Sequence, residues 1–238
     1  MTRTLRALAV FALAAASALP LAAQNPPPPG ASGQQPPAPL PPNGWRVDPG
    51  HSAITFRVRH LGIEWVNGRF PSWTAELVYD PNNVEAASVT AHIRTGTVAT
   101  DNDRRDADIR SGNYLAVDSF PEMVFVSRQV QRVDATHLRV TGDLTLRGVT
   151  KPVTLETELL GMLNGSRGKR IAFTATTTIR RQDFGVTFNR FMEGAQLVGD
   201  EVRITIDITA LQPVASLGLG VRGLGLGARG RHPLAPSP

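Results

Sequence analysis

Between residues 45 and 212 apolar side chains recur at every second position, and a chain with that period folds as β-sheet with one face buried. Ile54, Phe56 and Val58 alternate with Thr55, Arg57 and Arg59. Trp73, Ala75, Leu77 and Tyr79 form a second stripe, and Val89, Ala91 and Ile93 a third. A strand over 122–130 is less regular, with apolar residues on both faces. The stripes continue through Leu138, Val140, Leu144 and Leu146, then Val153, Leu155 and Leu159, then Ile171, Phe173, Ala175 and Ile179. The last is Val202, Ile204, Ile206 and Ile208, opposite Glu201, Arg203, Thr205 and Asp207. About eight one-faced strands can bury their stripes in a sandwich or a closed barrel, and only closure removes the exposed edges. One short helix interrupts them: Thr100 can cap it, Asp101 and Asp103 suit its first turn, and Arg110 lies near its end before Gly112.

The most specific wording lies at 142–156. Leu144 and Leu146 alternate with polar residues before Gly148, and Val153 and Leu155 alternate again after Pro152. This predicts two antiparallel strands joined by a short bridge holding the glycine, which tolerates positive φ, and the proline, which cannot donate to a central ladder. The run closely resembles the signature hairpin of the YceI-like family, periplasmic lipocalin-like proteins that bind polyisoprenoid lipids. Other segments resemble that family in the same order: His60-Leu61-Gly62 with Gly68-Arg69-Phe70, Arg105-Asp106 with Ile109-Arg110-Ser111 and Tyr114-Leu115, Phe120-Pro121 through Phe125, and Asp183-Phe184-Gly185. The similarity spans roughly 45–212. It implies an all-β fold, an eight-stranded antiparallel lipocalin-like barrel with one short helix.

The ends read differently. Residues 1–23 carry Arg3 and Arg6, then an apolar stretch, then small residues, the pattern of a secretory signal cleaved after Ala23. Pro20 and the shortness of the stretch count against an uncleaved anchor, which needs about 20 apolar residues. Residues 24–44 form a Pro-rich disordered linker; nine prolines fall within 25–42, enough for an extended spacer reaching ~55 Å. Docking of a partner on that stretch is the competing reading, without a clear recognition pattern. Residues 213–238 are a Gly/Leu-rich tail without strand alternation, expected to be disordered.

The basic pI of 10.6 misleads. Two of the 25 Lys and Arg residues lie in the signal and three in the tail, so residues 43–212 hold 20 basic residues against all 20 acids. A neutral domain argues against nucleic acid as a partner. The absence of cysteine excludes disulfides, thiol nucleophiles and Cys-ligated zinc, so an exported domain must rest on its core.

Enzymatic readings find little footing. His51, His60, His92, His137 and His232 are scattered without metal-ligand spacing. Asp101, Asp103, Asp106 and Asp108 lack the glycine and glutamate of a calcium loop. Gly165-Ser166-Arg167-Gly168 has the form of a hairpin turn, not a phosphate loop. Neither a catalytic centre, a metal nor a cofactor is expected.

Phe56, Val58, Phe70, Trp73, Phe120, Phe125, Phe173, Phe184 and Phe188 could simply fill the interior, and His60 shares the apolar parity of its strand as an interior or rim residue. Small inward positions at Gly142, Ala175 and Thr177 leave room for a lumen. The resemblance turns these ten residues into cavity candidates for an isoprenoid or other apolar-chain lipid. Arg105 and Arg110 are the headgroup candidates, because a planar guanidinium suits phosphate; a solvated helix face is the plainer alternative. The expected function is therefore non-catalytic lipid binding or transport in the periplasm or after secretion, without stable membrane insertion once the signal is cleaved. An exported stress-response or structural barrel with a filled core is the alternative, and a homodimer stays open.

Overall fold

Twelve strands and one helix are placed by the computed structural model, which describes residues 39–213 apart from Arg167 and Glu193. The expected leader, most of the Pro-rich linker and the tail beyond Pro213 lie outside the described residues. In chain order the elements are β1 (Gly44–Val47), β2 (Ala53–His60), β3 (Glu64–Arg69), β4 (Trp73–Val78), β5 (Ser88–Arg94) and the helix α1 (Asp103–Arg110). There follow β6 (Glu122–Arg132), β7 (His137–Leu146), β8 (Val149–Gly165), β9 (Gly168–Arg180), β10 (Phe191–Met192), β11 (Ala195–Gln196) and β12 (Val198–Pro213).

The expected barrel closes. Hydrogen-bonded neighbours run β1-β4-β5-β6-β7-β8-β9-β12, and β12 returns to β1 through Arg46 opposite Leu211. β1 and β2 share that edge of β12 end to end, β2 pairing from His60 opposite Val198 to Ala53 opposite Asp207. A 3-10 turn at Pro49–His51, capped by the Asp48 carboxylate, separates them. β3 pairs with β2 and β4 with β1, so β3 and β4 likewise form one kinked wall strand. The wall therefore has eight strands, all antiparallel.

The irregular stripe over 122–130 has a geometric cause. The register of β6 shifts between Ser127 and Gln129, so Arg128 is an extra residue. Phe125 and Val130 are both buried although five positions apart, while Val126 is exposed outside. A similar shift in β8 between Leu159 and Gly161 turns Leu160 outward.

Two local expectations need correction. Pro152 is not in the hairpin bridge, which is only Arg147-Gly148, both at positive φ; it lies within β8 opposite Asp143. The ladder from β8 to β9 begins at Glu156, so a residue without N–H breaks no bond on that open side. The helix cap is Asn102, not Thr100: its carboxamide oxygen accepts from Arg105 N at 3.0 Å. Thr100 instead donates its N–H to the buried Asp106 carboxylate at 2.9 Å, fastening the helix to the preceding chain.

The two ends of the barrel differ. One is stoppered: Trp45 donates its indole N–H to Tyr79 O at 2.8 Å, Tyr79 meets Phe173 edge-on at 5.2 Å, and Val84, Val130, Leu138 and Ala210 are buried around them. At the other end lie the β2–β3 tip, the connection bearing α1, the β7–β8 turn and the 181–197 segment.

The β6–β7 turn yields a pH prediction. Asp134 accepts from Thr136 N, the His137 ring and His137 N, in that order of effect, which lowers its pKa to about 2. The same carboxylate raises the His137 pKa above its ordinary value of 6.5. A lowered acid stabilises the turn above its unfolded pKa of 3.8 and loses that contribution as pH falls toward about 2. A raised histidine contributes fully below 6.5 and loses its share as pH climbs through the higher folded value. Asp134→Asn should return the His137 titration, followed by NMR, to the ordinary range; an unchanged midpoint would refute the pairing.

Candidate functional site

The inward stripes do not meet at the barrel axis. They line a cavity of about 730 Å³, within the range of small-molecule sites. Ile54, Phe56 and Val58 of β2 and Val202, Ile204 and Ile206 of β12 are only half-buried although all face the interior. Their remaining exposure is to the lumen, since Arg57, Arg203 and Asp207 on the opposite parity face solvent.

The large aromatics leave this space because two of them lie along the wall. Phe56 pairs with Gly68 across β2 and β3, and a Cβ at Gly68 would collide with its ring. Phe125 covers Gly142 in the same manner. A glycine beneath a phenyl ring lets the ring lie down where a larger neighbour would push it into the lumen. Phe70 packs beside Phe56 with ring centres 5.4 Å apart, and β9 contributes the small Ala175 and Thr177 to the lumen wall.

Eight of the ten cavity candidates stand on the lumen wall: Phe56, Val58, His60, Phe70, Trp73, Phe125, Phe173 and Phe188. The other two correct the expectation. Phe184 is buried in the 3-10 turn Arg181–Phe184 as part of the hydrophobic core. Phe120 packs on Gly148 of the β7–β8 turn. His60 is a rim residue, its Nδ1 3.2 Å from the Glu64 carboxylate.

The headgroup candidates separate. Arg105 is on the wall, with Nε on Thr100 Oγ1 at 2.7 Å and Nη2 on Thr100 O at 2.8 Å. Arg110 is not: it donates to Gly96 O and Val98 O, both at 2.8 Å, and so braces the turn before the helix. Arg59, Arg104, Arg181 and Arg190 also line the cavity, beyond the candidates the sequence offers. Against them stands Asp108, the one acid on the wall among the described residues. Arg181 is buried, and burial pushes its guanidinium below its ordinary pKa. Burial, assisted by Asp108, pushes the Tyr114 phenol upward, so it stays neutral beside Phe188, 5.5 Å away.

The remaining titratable groups disperse. His51, His60, His92 and His137 each meet a different carboxylate, those of Asp48, Glu64, Glu122 and Asp134. Asp101 pairs with Arg69 at 2.9 Å while Asp106 turns to Thr100. His232 lies outside the described residues.

The YceI-like domain profile matches residues 45–210. The chain belongs to the YceI-like family. A UPF0312 protein of Enterobacter sp. (strain 638) is 40% identical over 138 residues, covering 58% of this chain and 71% of that protein. The crystal structure of Campylobacter jejuni YceI shares 26% identity at a TM-score of 0.57, over 65% of this chain and 89% of that one. A polyisoprenoid binding domain from Saccharophagus degradans, implicated in plant cell wall breakdown, has the same fold with 14% identity and a TM-score of 0.53, covering 73% and 100% of the two chains. In this YceI-like barrel the lumen combines a stoppered apolar shaft with a mouth rich in arginine.

Proposed function

We propose that this YceI-like protein binds the apolar chain of a polyisoprenoid or similar amphiphilic lipid in its lumen and carries it without chemical change. The observation that carries this reading is the apolar shaft itself, lined by side chains that remain half-exposed inside a closed wall. Each methylene buried there contributes roughly 0.8 kcal/mol, so a long chain binds tightly with few polar contacts. Arg104, exposed and on the cavity wall, can meet a polar head at the mouth, with Arg105 beside it. The family and a neighbour described as a polyisoprenoid binding domain support the same ligand class. The filled structural barrel is disfavoured by the cavity. The charged, apolar and small-residue pattern of 1–23 supports export to the periplasm or beyond the cell.

Native mass spectrometry of protein purified without detergent tests both parts. The expected spectrum shows a chain beginning near Gln24 with one lipid bound, released intact on extraction. Met1 retained would overturn export. A ligand-free chain that takes up no added polyisoprenol would overturn binding.

A further inference from the structure

We infer that the mouth rim docks on a phospholipid bilayer, with the β2–β3 and β10–β11 tips entering the interfacial layer. These tips carry large apolar side chains turned to solvent: Ile63 and Phe191 are each 75% exposed and Met192 46%. They are neighbours on one rim. Leu61 N donates to Leu197 O at 3.1 Å, and Leu197 N donates to Arg190 O at 2.7 Å. Leu61 occupies a left-handed turn position, φ 50°, where a large apolar residue is uncommon. The turn thus keeps an apolar residue where asparagine or glycine would sit without strain.

Arginines flank both tips. Arg59 and Arg190 lie on the cavity wall beside them, and Arg57, Arg59 and Arg203 stack on Trp65 at 4.7, 4.1 and 5.0 Å. Glu64, the acid among the described residues of the tips, is held by His60. Isolated apolar side chains on two projecting tips, beside guanidinium groups, match the layered chemistry of a bilayer surface, apolar below and phosphate above. A protein partner would call for a broad, packable apolar area, and these tips do not form one. Docked this way, the cavity mouth between α1 and the tips opens against lipid, so an apolar chain can enter without crossing water.

The test is flotation of residues 24–238 with vesicles of phosphatidylcholine and phosphatidylglycerol. The wild type should float. I63S/F191S should lose about tenfold in partitioning, with I63S and F191S intermediate, because the inserted apolar area is removed. L163S is the control, since Leu163 is equally prominent at 70% exposed but lies on the β8–β9 hairpin at the stoppered end; it should float like the wild type. Unchanged melting by circular dichroism verifies the fold of each variant. The inference is overturned if the wild type stays in solution, if I63S/F191S floats undiminished, if L163S loses as much, or if the wild type forms a dimer in solution that I63S/F191S abolishes. Uptake of a polyisoprenol from detergent micelles reads the lumen separately, and I63S/F191S should retain it.

Discussion

Val58→Trp is expected to abolish uptake of a polyisoprenoid while leaving the barrel folded. Val58 stands on the lumen wall, paired with Val66 on one side and Val202 on the other, between Phe56 and the rim residue His60. An indole there projects across the shaft just below the mouth. In a filled core the added volume would force neighbours off their rotamers and cost about 1–3 kcal/mol or more. Here the cavity receives it, so melting should shift by no more than a few degrees. The measurements are the melting temperature without ligand and displacement of a fluorescent polyene by a polyisoprenol. Lost displacement with near-native melting supports the open lumen. Severe destabilisation, with no uptake by the wild type either, would mean that the barrel is filled and that ligand binding must be abandoned.

Much of this architecture is legible in the chain because a period of two fixes which side chains share a face. At 122–130 the stripe is irregular because one extra residue, Arg128, reverses the parity in mid-strand. The lumen is harder to read, because a phenyl ring fills or spares it according to the residue across the ladder. The pairing of Phe56 with Gly68 depends on a register set by the tight turn at Leu61-Gly62, and no single stripe contains it. The arginines of the helix show the same limit. α1 has mixed charges and no apolar stripe to orient it, so nothing in the sequence told Arg104, on the cavity wall, from Arg110, committed to Gly96 and Val98. Phe184 and Phe120 lie in the connections, where period two carries no information.

Arg181 lies in a connection too, and it carries the largest expected effect on stability. Its side chain is 4% exposed and lies between the end of β9 and the start of β12. The guanidinium donates to Gly199 O at 2.9 Å, Phe188 O at 3.0 Å and Val198 O at 3.2 Å, with a further short bond to Val186 O. One planar fork thus holds the 186–188 segment against the barrel, and that segment supplies Val186 and Phe188 to the lumen wall. Arg181→Met keeps the length and removes every donor. Carbonyls that lose a charged partner must find water or stay unpaired, so the loss should be about 2–4 kcal/mol, lowering the melting temperature by roughly 6–12 °C in a domain of this size. Arg181→Lys, a point charge without the fork, should recover only part of it. Because the mouth loosens with the segment, ligand should also leave faster from the variant, as dissociation kinetics would show. Arg181→Met melting within a degree of the wild type, with unchanged ligand release, would show that the strands hold the mouth without this side chain.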